Sequence, residues 1–427
     1  MTLPQLLAKR SASSPKVVAW RQFRLGVWNE YTLADVHAEA SAIGNGLASL
    51  GFAKGDVVAI LAQNGVTSIA AEIGVQGIGC VAAVLSSALA PSTVRDVLAL
   101  VEAKAVIVGD QEQYDKVHDV PVASVRSTVV LNARGFREIE VDDRPDADKI
   151  LTIEQLKNRG GTGVAWDSQS AGLSGTDPAT ILCLVNRESR EVEIHRYSHA
   201  AVLESAQSLH ASVGFTRADV VAVHNSLGES VEHALSVVAP LVSGITVNIG
   251  QSGLSTQSMR QVQPSLVALH CGWLEGVGSD IERRVGASRG LKGMAARKAL
   301  ATTAPLGTAP AKPPKIGPTR AVGIVAALVA FVFLAVSVSL NDFVRVAIVA
   351  VLALVAALVT VVRGWSGVSS IRRAVGMSRT RAIISERPLD ESTSPSAARL
   401  LGSLGIPIVV TPVPGEIIGR VRSEVLV

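Results

Sequence analysis

The sequence predicts an α/β protein interrupted by a helical hairpin that is long enough to cross a membrane. Short β-branched segments alternate along most of the chain with longer segments whose apolar residues recur at helical spacing. This alternation is typical of parallel strands joined by helices. Two uncharged apolar runs in the C-terminal third interrupt it. At 427 residues the chain is long enough for two domains or for one large one.

Residues 1–175 are predicted to form a first α/β subdomain. A helix is expected over 33–50, because apolar residues recur there at helical spacing and Gly51 supplies a C-cap signal. A short β-branched run over 57–61 predicts a buried strand. The other elements expected here are a helix over 67–79 and strands over 80–85 and 105–108.

Residues 176–300 repeat this pattern and are predicted to form a second α/β subdomain. The strands expected in it cover 180–185, 220–224, 245–249 and 266–270, and the helices cover 199–213 and 230–242. Residues 363–427 are predicted to supply a last α/β segment that completes the body. Its helix is expected to run to Leu404, with Ser394 as the N-cap and Pro395 at the first helical position. Strands over 381–384 and 406–411 are expected on either side of that helix.

A transmembrane helical hairpin is predicted over 321–362. Its first apolar run begins at Ala321 and ends at Leu340, and its second begins at Val346 and ends at Val362. A helix of about 20 apolar residues spans the roughly 30 Å hydrocarbon core of a bilayer. The few residues between the two runs leave room only for a tight turn. The alternative hypothesis is a pair of buried core helices.

Basic residues flank this hairpin on both sides. A Pro-rich linker over 301–320 carries Lys312, Lys315 and Arg320 before the first run, and arginines recur after the second, over 363–381. The positive-inside rule therefore places both termini and the α/β body in the cytoplasm, with the hairpin in the plasma membrane as a multi-pass anchor. The Ala-, Val- and Arg-rich composition is typical of a bacterium with a GC-rich genome.

The composition excludes several classes of function. A net charge of +4 and an aromatic content of 4% are too low to indicate nucleic-acid binding. None of the three cysteines forms a C-x-x-C pair, so neither a disulfide framework nor a zinc site is expected. The N-terminal residues contain no long apolar run, so no signal peptide is expected. No cofactor is expected.

Several stretches along the chain form a pattern of motifs. They are Glu30-Tyr31-Thr32-Leu33, Lys54-Gly55-Asp56-Val57-Val58-Ala59-Ile60-Leu61 with Asn64, Gly77 with Gly79, Asp110 to Val117, Asp177-Pro178-Ala179-Thr180, Val375 to Arg381, and Leu404-Gly405-Ile406-Pro407. Together these stretches resemble the adenylate-forming (AMP-binding) enzymes, and among them the long-chain fatty acyl-CoA synthetases. The resemblance implies the fold of the family's large N-terminal domain, built of layered sheets and helices, here interrupted by the hairpin.

The stretch that corresponds to the family's phosphate loop is altered. The family's loop, Y-T-S-G-T-T-G-x-P-K-G, uses glycines and hydroxyls to bring the backbone close to phosphates. Here residues 186–193, N-R-E-S-R-E-V-E, contain no glycine, threonine or lysine and add three carboxylates. Like charges oppose a triphosphate at this place. Asn186 and Ser189 are therefore interpreted as vestigial positions of a degenerate phosphate loop.

Other positions of the family's motifs are altered too. Where the family has L-P-L-x-H-x-x-E, residues 225–232 place Glu229 at the usual histidine and keep Glu232. Cys271 replaces the arginine of V-P-R-x-W. Residues 384–389, I-S-E-R-P-L, replace the adenine-contacting S-G-A-A-P-L. The resemblance therefore implies a nucleotide site that has lost most of its contacts.

Glu416 matches the magnesium-linked glutamate of the family's Y-G-M-T-E motif, without the tyrosine and threonine that accompany it. Glu232 and Glu416 are accordingly interpreted as vestigial positions as well. The sequence ends at Val427, before the family's ribose-binding aspartate and its small C-terminal domain. These departures predict a truncated, non-catalytic relative.

Two groups of titratable residues are candidates for chemistry. His195 and His199 lie four residues apart and could share a helix face, but two nitrogens make an incomplete metal site. Glu229, Glu232 and His233 could form an acid/base cluster. The favoured interpretation of these three is a solvated helix start, because no nucleophile lies nearby in sequence. No catalytic residue and no metal ligand is assigned.

These observations predict a membrane-anchored pseudoenzyme that acts as a scaffold or a regulatory subunit of a membrane complex concerned with lipids. One alternative is an acyl-CoA ligase with an atypical active site. Another is a fatty-acid or acyl-CoA binding module, since residues 230–249 resemble the wall of the family's fatty-acid tunnel. Expected partners are membrane lipid, a protein of the complex and, for the last alternative, a fatty acyl chain. We expect side chains to fill the tunnel, because closing a cavity stabilises a fold.

Overall fold

Helices and strands alternate along the computed structural model, as the sequence predicts, and the strands form two sheets. The structure describes residues 1–119, 121–136, 149–160, 165–186, 191–223, 227–228, 230–250, 256–268, 271–287, 296–297, 300–301, 371–372, 374–375, 377–385, 395–404, 406, 408–410 and 416–422.

The helices of the described residues are α1 (Leu3–Ser13), α2 (Leu33–Ser49), α3 (Val66–Gly77), α4 (Pro91–Leu100), α5 (Gln111–His118), α6 (Ile153–Arg159), α7 (Ala165–Ala171), α8 (His199–Val213), α9 (Ser230–His233), α10 (Ala239–Ser243), α11 (Thr256–Val262), α12 (Cys271–Ala287) and α13 (Pro395–Leu404). A π-helical turn, Ala234–Val238, joins α9 to α10.

The strands of the described residues are β1 (Val18–Arg24), β2 (Val27–Thr32), β3 (Val57–Leu61), β4 (Val81–Leu85), β5 (Ala105–Val108), β6 (Ser127–Val130), β7 (Lys149–Thr152), β8 (Pro178–Asn186), β9 (Glu191–Ser198), β10 (Val220–Val223), β11 (Thr246–Ile249), β12 (Leu266–Ala268), β13 (Ala382–Ser385), β14 (Ile408–Val410) and β15 (Glu416–Arg422).

The two sheets are mostly parallel. Among the described residues, the first sheet has seven strands in the order β14-β13-β12-β10-β11-β1-β2, and the second has eight in the order β15-β9-β8-β4-β3-β5-β6-β7. Antiparallel pairing occurs between β1 and β2, between β8 and β9, and between β9 and β15. The parallel strands β3, β4 and β5 are buried almost throughout, which explains why their sequences are continuous apolar runs.

Each sheet takes strands from both sides of residue 175. The N-terminal strands β1 and β2 belong to the sheet that is otherwise built from β10 to β14, while β8, β9 and β15 extend the sheet of β3 to β7. The predicted boundary between a first and a second subdomain therefore does not coincide with a boundary between sheets. The segment limits themselves remain a prediction from the sequence.

Local signals place several helices where the sequence predicts them. Thr32 caps α2: its hydroxyl accepts a hydrogen bond from the backbone N–H of Asp35, whose carboxylate accepts one from the backbone N–H of Thr32. After α2 the chain turns at Gly51, whose φ of 81° favours glycine. The predicted strands over 57–61 and 105–108 and the predicted helix over 199–213 are confirmed with the same limits.

The structure differs from the sequence prediction in two kinds of element. The single helix expected over 230–242 is interrupted by the π-helical turn Ala234–Val238. The strands β1, β2, β6, β7, β9 and β15 were not predicted. In β1, β2, β9 and β15, charged and polar residues lie among the β-branched and aromatic ones. These four strands all take part in antiparallel pairs, which tolerate one solvated face.

The chain completes the first sheet after residue 371. Strand β13 pairs with β12, and β14 with β13, so both predicted C-terminal strands are present. A buried ion pair fixes this return: the Arg381 guanidinium lies 3.0 and 2.9 Å from the carboxylate oxygens of Asp219, and it also donates to the carbonyls of Val213 and Gly214. The Arg381 pair thus attaches β13 to the end of α8 and the start of β10.

The environment of Asp219 keeps this ion pair charged. Burial alone would raise the pKa of the Asp219 carboxyl, but hydrogen bonds from Arg381, Ser265 and the backbone of Thr216 outweigh it and hold the pKa below its usual value. A carboxyl with a lowered pKa in the folded state stabilises the fold above its unfolded pKa, and the contribution is lost as the pH falls through the folded value. The pair therefore stabilises the fold fully at neutral pH.

The predicted transmembrane hairpin over 321–362 lies outside the described residues, as do most of the linker over 301–320 and the predicted N-cap Ser394. Among the helices that the structure does describe, none combines the length and the apolar character that a membrane span requires.

Candidate functional site

The hairpin of β8 and β9 occupies the place that the resemblance assigns to the phosphate loop. Strand β8 ends at Asn186, which pairs in antiparallel register with Glu191 at the start of β9. The residues that connect the two strands, including Ser189, lie outside the described part of the chain. The hairpin confirms that this stretch connects two adjacent strands.

The Glu193 carboxylate on β9 lies within ion-pair distance of two basic side chains, Arg420 and His195. The Oε1 atom of Glu193 lies 3.3 Å from Nη2 of Arg420 on β15, and its Oε2 atom lies 3.3 Å from Nε2 of His195. Glu193 and Arg420 are also direct neighbours in the register of the two strands. These two groups, Arg420 and His195, are therefore directed at a carboxylate of the protein itself.

Two of the vestigial positions, Asn186 and Glu416, lie far apart along β9. Asn186 lies opposite Glu191, whereas Glu416, at the start of β15, lies opposite Arg196 near the other end of β9. Five residues of an extended strand span about 17 Å, at roughly 3.4 Å per residue. The backbones of Asn186 and Glu416 therefore lie beside opposite ends of β9.

Glu232 lies in the interior on α9, with 1% of its surface exposed. The side chain of Asn64, which follows β3, donates from Nδ2 to Ser236 Oγ at 2.9 Å and contacts Glu232 Oε1 at 3.4 Å. The interpretation of Glu232 and His233 as part of a solvated helix start is therefore wrong. Burial of the whole α9 segment is the physical reason, because both side chains enter the core between the two sheets. Glu229, the third residue of that group, lies outside the described residues.

His233 belongs to a buried polar cluster centred on Glu72 of α3. The Oε1 atom of Glu72 lies 2.7 Å from His233 Nε2, 2.8 Å from the Thr180 hydroxyl and 3.0 Å from Gln76 Nε2. Gln76 Nε2 also donates to the Thr180 hydroxyl at 2.7 Å. A carboxylate oxygen accepts hydrogen bonds, so the imidazole presents Nε2–H to it. We call Glu72, Gln76, Thr180 and His233 the Glu72 cluster.

The Glu72 cluster is sealed from solvent. Glu72, Gln76 and Thr180 have no exposed surface, and His233 is 3% exposed. The other carboxylate oxygen of Glu72 accepts no hydrogen bond from the described residues, so the interactions of this carboxylate all pass through one oxygen. A general acid or base must reach its substrate. The arrangement instead joins α3, β8 and α9 at the centre of the molecule.

Next to the Glu72 cluster, the π-helical turn connects the two sheets. The indole Nε1–H of Trp20, on β1, donates to the backbone carbonyl of Ser236 at 2.7 Å, and the Ser236 hydroxyl accepts from Asn64. A π-helical turn breaks the regular helical hydrogen-bond pattern and is frequent at functional sites. Here its polar groups are satisfied by side chains from both sheets.

The two candidate histidine ligands are placed on different elements. His195 lies in strand β9 and His199 is the first residue of helix α8, so the expectation that they share a helix face is wrong. Burial lowers the pKa of His199 to about 4, which leaves its imidazole uncharged at neutral pH. Within the described residues, no group of three His, Cys, Asp or Glu side chains is arranged to hold a metal ion.

Sequence reasoning did not find the Glu72 cluster. The available signal was the pair Glu72 and Gln76, four residues apart in an otherwise apolar helix, which places both on one face. Thr180 and Asn64 were noted only as parts of family-like motifs. Their shared environment depends on contacts between residues more than 100 positions apart.

Comparisons with known proteins agree with the fold described above. Residues 7–182 match the family model of the AMP-binding enzymes. The inhibitor-bound N-terminal domain of FACL13 from Mycobacterium tuberculosis superposes with a TM-score of 0.51 at 18% identity, over 64% of this chain and 64% of that chain. No curated protein matches the sequence.

Two further solved structures share the fold at similarly low identity. VinN in complex with L-aspartate has a TM-score of 0.52 at 16% identity, over 67% of this chain and 66% of that chain. The anthranilate CoA ligase AuaEII with anthranoyl-AMP has a TM-score of 0.55 at 15% identity, over 65% of this chain and 50% of that chain. The chain thus spans between half and two thirds of the length of these proteins, and at such identities the likeness concerns the fold.

Proposed function

We propose that this chain is a non-catalytic member of the adenylate-forming type and that it acts by contact at a membrane. It carries an AMP-binding domain with the fold of the acyl-CoA synthetase N-terminal domains. It would serve as a scaffold or a regulatory subunit, with its α/β body held at the cytoplasmic face by the hairpin over 321–362. Both the contact role and the anchoring are proposals, as is the identity of its partners as membrane lipid and a membrane protein.

The observation that carries the non-catalytic proposal is the chemistry of the β8–β9 hairpin. An ATP site needs close backbone approach and positive charge around the phosphates. This hairpin has Glu191 and Glu193 on β9 and no glycine, threonine or lysine in 186–193. The nearby Arg420 and His195 are bound to Glu193. A triphosphate would have to displace these contacts and lie beside unpaired carboxylates.

We therefore expect the full-length chain not to bind Mg-ATP in the micromolar range. The measurement is titration calorimetry together with a pyrophosphate-release assay over a panel of carboxylic acids that includes L-aspartate, anthranilate and C8–C18 fatty acids. The variant E188Q/E191Q/E193Q serves as a matched comparison, because it removes all three carboxylates of 186–193 without adding a glycine. We expect this variant to bind Mg-ATP at most about tenfold more tightly than the unchanged chain, which corresponds to about 1.4 kcal/mol of binding free energy. The gain stays small because 186–193 still has no glycine to let the backbone approach the phosphates.

Two outcomes would contradict the proposal, one in the pyrophosphate assay and one in a thermal-unfolding series with the same fatty acids. Pyrophosphate release that depends on a carboxylate would establish the alternative, an acyl-CoA ligase with an atypical site. A melting temperature that rises with fatty-acid chain length, without pyrophosphate release, would favour the acyl-binding alternative, because each buried CH₂ contributes about 0.8 kcal/mol to ligand binding. We expect neither, since residues 230–241 are already buried in the protein core.

The anchoring proposal rests on the two uncharged runs over 321–340 and 346–362. We expect the chain to sediment with membranes and to resist extraction by high salt and by carbonate. The variant L328R/L354R places one arginine near the middle of each run. Each arginine there costs about 2.5–3.5 kcal/mol of membrane-insertion free energy. This variant should be released by carbonate, while the unchanged chain should not. Release of the unchanged chain by salt alone would contradict the anchor.

A further inference from the structure

The turn of the β1–β2 hairpin presents apolar side chains to solvent. Leu25 is 67% exposed and Val27 is 57% exposed, and beside them the rings of Phe23 and Trp28 pack with their centroids 5.2 Å apart. The one charged residue among them is Arg24, which lies opposite Val27 in the register of the strands. We call residues 23–28 the hairpin tip. It combines exposed aliphatic, aromatic and basic side chains with no carboxylate.

The backbone of the hairpin tip does not account for its leucine. Leu25 has a φ of 51° and Gly26 a φ of 85°, so both turn residues adopt the left-handed conformation of a two-residue hairpin turn. Asparagine or glycine is favoured at the first of these positions, and a leucine there is strained by roughly 1–2 kcal/mol. Leu25 is also not buried. Neither local conformation nor packing explains this residue, which points to a contact outside the chain.

Contacts place the hairpin tip close to the point where the chain returns from the predicted membrane segment. The indole Nε1 of Trp28 lies 3.4 Å from Gln261 Oε1 on α11. The neighbouring residue, Arg260, donates from Nε and Nη2 to the carbonyl of Ala374 at 2.8 and 2.5 Å. Adjacent residues of one short helix therefore join the hairpin tip to residues 371–375.

The same region includes the chain on the other side of the predicted membrane segment. Ala296 and Ile371 belong to one apolar cluster, which also contains Met259 of α11. Ala296 and Ile371, which lie on either side of the segment over 302–370 in sequence, thus pack in the same apolar cluster. Because the hairpin tip contacts α11, it lies on the side of the body from which the segment over 302–370 departs.

We propose that the hairpin tip inserts into the headgroup region of the membrane that the hairpin over 321–362 anchors. This inference rests on the anchoring proposed above. Aromatic side chains prefer the membrane interface, and arginine extends its guanidinium to anionic headgroups while its stem stays in an apolar environment. Leu25 and Val27 would enter the acyl boundary. The contact fixes the orientation of the body relative to the bilayer, so that the turn end of the β1–β2 hairpin faces the lipid.

The experiment places an environment-sensitive nitrobenzoxadiazole label at position 25 of the full chain in vesicles of phosphatidylcholine and phosphatidylglycerol. The buried thiols of Cys80 and Cys183 do not compete for the label, because burial raises the pKa of each to about 12. The variants are C271S/L25C and the matched control C271S/L100C. Leu100 is 46% exposed at the end of α4, which packs against the other sheet.

We expect the label at position 25 to show blue-shifted emission that doxyl-labelled lipid quenches, and the label at position 100 to show neither effect. A water-like spectrum at position 25, in a chain that floats with the vesicles, would overturn the inference and leave the anchor intact. Blue-shifted emission without quenching by doxyl lipid would also overturn it, because protein would then cover the hairpin tip. A chain that fails to float would overturn the anchor and this inference together.

Discussion

Replacing His233 by alanine is expected to destabilise the fold by about 3–5 kcal/mol. The imidazole lies 2.7 Å from Glu72 Oε1 and is 3% exposed, while Glu72 has no exposed surface. Removing one partner of a buried pair costs about 3–5 kcal/mol. In H233A the buried Glu72 keeps only the hydrogen bonds from Thr180 and Gln76, and its second oxygen accepts none from the described residues. The measurement is denaturant unfolding of the full-length chain followed by tryptophan fluorescence.

A second substitution separates this electrostatic effect from the loss of packing. In the E72Q/H233A variant an amide, which also carries a donor, replaces the carboxyl that has lost its histidine partner, so we expect it to be more stable than H233A alone. His210 offers a matched control, because it is an exposed histidine on α8 whose ring hydrogen-bonds Ser243 Oγ at 3.3 Å and lies beside Phe215 with ring centroids 5.8 Å apart. H210A should change stability by no more than about 0.5 kcal/mol. Equal stability losses for H233A and H210A would show that the Glu72 cluster does not hold the sheets together.

Replacing Gly77 by alanine is expected to destabilise the fold by about 2 kcal/mol or more, although alanine is the better helix former by about 1 kcal/mol. A Cβ atom at Gly77 would lie 2.0 Å from two atoms of the Trp166 indole. The indole cannot yield, because it has no exposed surface and donates from Nε1 to the carbonyl of Gly74 at 3.0 Å. Overpacking of a buried site costs typically 1–3 kcal/mol or more.

Gly276 on α12 supplies the matched control for this prediction. A Cβ atom there would meet no atom within 4 Å, so the same substitution keeps the gain in helix propensity without the clash. We expect G276A to be neutral or more stable by up to about 1 kcal/mol. The double variant G77A/W166F should lose less stability than the sum of its single variants, because the smaller ring admits the methyl group. A stabilised G77A would contradict the packing described here.

The sequence by itself predicted the α/β class and most parallel strands, because these depend on local patterns. The run over 57–61 is apolar on both faces. Such a run forms an interior strand whichever strands pair with it. The capping residues of α2 act within a few positions of one another, so that helix was also predictable. The resemblance to the AMP-binding enzymes was confirmed over residues 7–182, where its motifs are short contiguous stretches.

The candidate site was predictable only in part. The loss of phosphate-binding residues in 186–193 is visible in the sequence, but the engagement of Glu193 by Arg420 is not, because 227 positions along the chain separate the two (420 − 193). The sequence predicted a solvated helix start for Glu232 and His233, because charged residues at a helix start usually face water. This prediction was wrong. Here the segment crosses the space between two sheets.

The sequence alone determined the class of fold and the elements set by local periodicity and caps, and it is the basis for proposing that 186–193 does not bind phosphate. The tertiary structure decided which polar groups are buried together and which apolar groups remain outside. Glu72 meets His233 because α3 and α9 pack between sheets assembled from distant segments, and no local pattern encodes that contact. Leu25 remains exposed because it lies in the turn between β1 and β2, and β2 is the edge strand of the described sheet, a position that the order of strands decides.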